Sequence, residues 1–124
     1  MHSNAIIQKE FSEEVFKSRI NKEYEFTYKG LRFFYPDSTQ DIKDEAVQQN
    51  NCVASYIDRV IDGECHIMFL RNAKEPNKSL VTIEIQNGRI VQALQRFNDP
   101  LTADQQEAVD AWNEHFSKKG KVAA

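Results

Sequence analysis

The chain has 124 residues, 40% of them hydrophobic and 28% charged, with eight Phe, four Tyr and one Trp. This is the composition of one globular domain that can bury a core without disulfide or metal, and it excludes a disordered chain. Sixteen basic against nineteen acidic residues give a formal net charge of -3, so no global field favours nucleic acid, and the mixed signs lack the dense acidic runs of a DNA mimic.

At the start, MHSNAIIQKEF is too polar for a secretory segment, and no apolar run approaches the ~20 residues of a membrane helix. The expected location is the cytoplasm, where Cys52 and Cys65 would be reduced thiols. Ser3 stands as an N-cap ahead of Ile7, Phe11, Val15 and Phe16, which recur at helical spacing with Glu13, Glu14, Lys17 and Arg19 on the other side. From Tyr24 the period becomes two. A turn at Lys29-Gly30 pairs Tyr28 with Leu31, Phe26 with Phe33 and Tyr24 with Tyr35, and all six fall on one face. Lys is an unfavoured residue in a turn that needs positive φ.

Pro36 stops this hairpin, and Ser38 caps a helix through Ile42 and Ala46 to Asn50-Asn51. Val53, Ile57, Val60 and Ile61 form the stripe of a second helical run ended by Asp62-Gly63. Three strands follow, His66 to Arg71, Leu80 to Gln86 and Arg89 to Asn98, the last two joined by Asn87-Gly88, the strongest short hairpin signal. Thr102 and Gln105 make a capping box for a final helix carrying Ala108, Val109, Trp112 and Phe116. The expected fold is α+β: an antiparallel sheet, built from the hairpin plus a three-stranded meander, packed with about four helices. A single domain over residues 1–118 is expected, with a frayed tail at 119–124.

The segment from Asn50 to Asn98 resembles the C-terminal region of the PcfJ-like family. The resemblance is carried by Cys52-Val53, Tyr56, Gly63, Leu70-Arg71, Thr82, Glu84, Gln92 and Asn98 in order and spacing. Family members often have histidine before the Cys-Val and a glycine in the last strand, where this chain has Asn50-Asn51 and Gln95. The resemblance implies residence on a plasmid or phage and supplies no biochemical activity.

Cys52, Tyr56, Arg71, Gln92 and Asn98 are the candidates for a polar pocket between the Cys-Val helix and the sheet. With a two-residue turn at Asn87-Gly88, Ile83 opposes Gln92 and Glu84 opposes Val91, so Gln92 and Glu84 take opposite faces unless a bulge intervenes. Gln92 would then be a polar group among Ile83, Ile85, Ile90 and Leu94, whereas Thr82 and Glu84 read as an outer, solvated face. Structural tethering of Gln92 to backbone or to the Tyr56 hydroxyl outweighs ligand contact. Cys52 has no general base beside it among His2, His66 and His115, so a packed thiol outweighs a nucleophile. No CxxC, HxxxH or HExxH pattern appears, and Asp62 with Glu84 and Gln86 is a loose set for a divalent ion. No metal and no cofactor are expected.

The leading functional expectation is a small accessory protein of a mobile genetic element that binds a macromolecular partner. That partner would be a protein or nucleoprotein complex of the bacterial host, and inhibition of a defence system such as CRISPR-Cas is the specific form. One alternative is an enzyme acting on a small or nucleotide-like substrate through Cys52, Tyr56, Arg71 and Gln92, with Arg71 meeting negative charge. Another is a conjugation or DNA-processing factor using a stripe of Arg89, Arg96, Lys29 and Arg32. Two copies could also pair through the aromatic hairpin.

Overall fold

Alternation in the N-terminal hairpin translates directly into pairing, with Phe26 opposite Phe33 and Tyr28 opposite Leu31. Residues 11–96 and 99–123 are described by a computed structural model of the protein. Strands β1 (Phe26–Tyr28) and β2 (Leu31–Phe34) are joined by Lys29 at φ 47° and Gly30 at φ 79°, two left-handed residues that match the strand twist. Lys29 accepts this conformation while its ammonium reaches Glu107 at 3.1 Å and stands over the Tyr28 ring. Tyr24 does not extend the ladder to Tyr35, because Lys22–Tyr24 is a 3-10 turn.

Helix α1 covers residues 11–18 of the described chain. Phe16 is buried there, but Phe11 is 65% exposed and is not part of the buried stripe. The proposed cap Ser3 and Ile7 lie outside the described residues. Ser38 does cap α2 (Thr39–Gln49), accepting from the Asp41 amide, and Asn50 ends it in the left-handed region at φ 52°. Glu13 ties the two helices together by accepting from the Thr39 amide and hydroxyl. The next helical run divides into a 3-10 turn, Val53–Tyr56, and a short α3 (Ile57–Ile61) stopped by Gly63 at φ 79°.

The remaining strands are β3 (His66–Asn72), β4 (Val81–Gln86) and β5 (Arg89–Leu94). Pairing of β2 with β3 fuses hairpin and meander into one five-stranded antiparallel sheet in sequential order. Strand β5 ends at Leu94, short of the expected Asn98, and its Ile90 amide donates to Asn113 Oδ1 of α4. That bond satisfies a donor on an edge strand. The Thr102–Gln105 capping box opens α4 (Ala103–Ala123). The α+β class is as expected, with helices on both faces of the sheet.

Helix α4 covers one face: Ala108, Val109, Trp112 and Phe116 pack on Phe33, Met68, Leu70, Val81, Ile83 and Ile85. Trp112 Nε1 donates to the Tyr24 carbonyl at 2.9 Å, anchoring the helix to the turn before the hairpin. The aromatic hairpin face is spent in this core, with Phe26, Tyr28 and Leu31 packed against it. On the other face, Phe16, Ile42, Val53 and Val60 from the first three helices meet Cys65, Ile67 and Phe69.

His66 sits in the α4-side layer, its ring edge-on to Tyr24 and Tyr35 and its Nδ1 hydrogen-bonded to the Tyr35 hydroxyl at 3.3 Å. Burial first, and the positive charge of Arg19 second, hold its pKa below the usual 6.5. The unfolded chain therefore takes up this proton before the folded one does. Stability from this residue should be constant above neutrality, fall as the pH drops through 6.5, and level off below the lowered folded value. Urea midpoints measured between pH 7.5 and 5.5 should show that decline, and His66→Gln should flatten it.

Candidate functional site

Between the Val53–Tyr56 turn and strands β3 to β5 lies a cleft of about 360 Å³, within the range of about 300–1,000 Å³ typical of small-ligand sites. Its floor is Val53, Ile67, Thr82 and Glu84, all buried, and its rim is Asn51, Cys52, Tyr56, Gln92 and Leu94. The 3-10 turn places the rim on the helical side. Asn51 Oδ1 accepts from the Val53 amide at 3.0 Å, and the Cys52 carbonyl accepts from the Ser55 amide and hydroxyl.

A β-bulge forms the opposite wall. Pairing runs Ile85 with Ile90 but Glu84 with Gln92, so Val91 is the extra residue and is 53% exposed. The slip moves Ala93 opposite Ile83 in the core and turns Gln92 and Leu94 to the side of Glu84 and Thr82. Regular pairing would have buried the Gln92 amide among isoleucines, at a cost of about 1–3 kcal/mol if left unpaired. The bulge removes that cost.

Several expectations are thereby corrected. Gln92 is an exposed rim residue, not a polar group inside the core. Thr82 and Glu84 are not a solvated outer face: they are 8% and 6% exposed, because the first three helices cover that side of β4. Cys52, Tyr56 and Gln92 do come together, whereas Asn98 lies outside the described residues. Arg71 is not in the cleft. Its Nη2 donates to Glu45 Oε1 at 2.8 Å, its Nη1 donates to the Pro76 carbonyl at 2.8 Å, and the guanidinium lies over the Phe69 ring.

Glu45 is fully buried on α2. Its second oxygen accepts from Thr82 Oγ1 at 2.8 Å, so Thr82 joins this internal ion pair to the cleft floor. Asn51 and Leu94 of the rim, and the role of Glu45, were missed by sequence reasoning. The available signal was the clash between Gln92 and its apolar neighbours, which only a bulge resolves.

Among the described residues Glu84 is the one charged side chain that lines the cleft, and its counter-charge Arg59 stands outside the lining, shared with Glu64 at 3.9 Å. Glu84 Oε2 accepts from Gln86 Nε2 at 2.8 Å and lies 3.5 Å from Arg59 Nη2, while that guanidinium also stands 5.0 Å from the Tyr56 ring centre. Glu84 Oε1 makes no hydrogen bond among the described residues. The Tyr56 hydroxyl donates to Gln92 Oε1 over a long 3.5 Å. His66 and His115 both pack with aromatic rings of the α4 side, so neither serves Cys52 as a base. Cys65 is a buried thiol pushed up to about 11, first by burial and then by the negative charge of Glu84. Among the described residues no group of three or more His, Cys, Asp or Glu is placed to hold a metal ion, and no helix is long and apolar enough to cross a membrane.

The family model for PcfJ-like proteins matches residues 1–109, reaching well before the Asn50–Asn98 segment that carried the resemblance. The uncharacterized protein Lin1253/Lin1744 of Listeria innocua serovar 6a is 32% identical over 130 residues. That alignment covers 98% of this chain and 29% of the relative, so the chain spans less than a third of the relative's length. No solved structure matches.

Removing one partner of the internal ion pair leaves a buried charge. Glu45→Ala should cost about 3–5 kcal/mol in denaturant unfolding, and the double change Glu45→Leu with Arg71→Met should recover most of it. The thiols should separate by access. Cys52 is exposed and should be alkylated in the native protein, whereas Cys65 should react only on unfolding, as counted by intact mass.

Proposed function

The chain belongs to the family of PcfJ-like proteins, and on that premise we propose that it is a recognition module, without a reaction of its own, that holds a macromolecular partner through the cleft between the Val53–Tyr56 turn and β5. The observation that supports this reading is how the polar groups are spent. Groups facing the cleft, the Gln92 and Asn51 amides and Glu84 Oε1, can give and take hydrogen bonds. The cation that an enzyme would need against an anionic substrate is held by Glu45, and among the described residues Cys52 has no neighbouring imidazole. Hydrogen-bond recognition needs only the first set. Nucleophilic catalysis needs a paired base as well.

The setting we propose is a plasmid or phage, and the partner a protein or nucleoprotein complex of the bacterial host. In its narrower form the proposal makes that complex part of a defence system such as CRISPR-Cas, a step that rests on what small proteins of mobile elements commonly do and not on any residue of the cleft. A tagged chain incubated with lysate containing an active defence complex should elute with one stoichiometric partner. Cys52→Ser should retain the partner fully. Gln92→Lys, which fills the rim from an exposed position, should weaken capture at least tenfold. Absence of a stoichiometric partner, or capture indifferent to Gln92→Lys, would overturn the reading.

A further inference from the structure

We propose that the cleft takes a neutral heteroaromatic ring carrying an N–H donor beside an acceptor, the edge presented by a nucleobase. This rests on the reading of the cleft as a recognition site and adds the chemistry of its ligand. The charge balance comes first. Among the described residues Glu84 is the one charged side chain lining the cleft, and Arg59 pairs with it at 3.5 Å from outside the lining, so an anion entering meets Glu84 and a cation finds that carboxylate already paired. Arg71, which could have held a phosphate, is fixed by Glu45 and Pro76 outside the cleft. The site therefore favours an uncharged ligand.

The unspent polar atoms then define the edge. Glu84 has a side chain only 7% exposed, yet Oε1 is without a hydrogen bond among the described residues. Oε1 reaches the cleft surface, where a carboxylate oxygen accepts a charge-assisted hydrogen bond from a new N–H donor. Opposite it across the strand pair, Gln92 uses Oε1 for the Tyr56 hydroxyl, which leaves its Nε2 as a donor. Asn51 uses Oδ1 for the Val53 amide and likewise keeps Nδ2. One free acceptor with two free amide donors complements a ring edge that alternates donor and acceptor. Val53, Ile67 and Leu94 supply apolar surface for the ring body.

The same edge is offered by a free nucleoside and by an unstacked base of a single strand. The net charge of -3 weighs against a strand held through its phosphates, so a strand in a nucleoprotein partner is held here by its base alone. The full chain, labelled with nitrogen-15, should be titrated with adenosine, cytidine, guanosine and uridine, and separately with a mixed-sequence single-stranded oligonucleotide. At least one nucleoside should shift the side-chain amide signals of Gln92 and Asn51 saturably, and Gln92→Ala and Glu84→Gln should each weaken that binding at least tenfold. The matching 5′-monophosphate should gain less than twofold. Oligonucleotide binding no tighter than the nucleoside identifies the free compound, and binding more than tenfold tighter identifies the strand as the source of the ring.

The proposal fails if neither ligand moves those signals, or if the shifts persist in both variants. Gln92→Ala carries the test should Glu84→Gln not fold, because Gln92 is exposed. Silence towards nucleosides and oligonucleotide, combined with partner capture that still depends on Gln92, would sink the heteroaromatic ligand alone. Loss of both would sink the recognition reading with it.

Discussion

Val81 to Ile85 of β4 are all buried, and so are Ile67 to Arg71 of β3, so the two central strands lose water on both faces. Alternation along such strands cannot sort residues into core and solvent. It sorts them between two interiors, one under α4 and one under the first three helices. The α4 side is apolar and aromatic. The other must also accommodate Arg71, Thr82 and Glu84, whose polar atoms all find partners or the cleft except Arg71 Nε, buried without a hydrogen bond among the described residues.

Those partners organise that side of the molecule. Glu45 enters from α2 to take Arg71 and Thr82, while Arg59 from α3 approaches Glu84. Helix placement is thus set by charge as well as by the apolar contacts of Ile42, Val53 and Val60. The Glu45 pair is closed, with both carboxylate oxygens engaged. The Glu84 group is half open, and that difference separates a structural network from a surface able to recognise something else.

The cleft exists because β5 contains one more residue than regular pairing allows. Val91 bulges outward, Ala93 takes the core position, and Gln92 turns towards Glu84. A single slip converts an amide stranded among isoleucines into a rim donor opposite a carboxylate. The polar rim of the cleft and the packing of the core are therefore satisfied by the same local irregularity.

Much of the fold was legible in the residues themselves. Period-two and helical patterns, the Lys29-Gly30 and Asn87-Gly88 turns, the Ser38 cap and the Thr102–Gln105 box are local signals, decided by backbone sterics and hydrogen bonds over a few positions. The grouping of Cys52, Tyr56 and Gln92 was also visible there. What tertiary structure alone decided was which polar residues face one another: the bulge that brings Gln92 to Glu84, the withdrawal of Arg71 to Glu45 across 26 positions of sequence, and the burial of Thr82 beneath the helices. Those outcomes depend on the desolvation of groups distant in the chain, an energy that arises only when both sides of the sheet are covered.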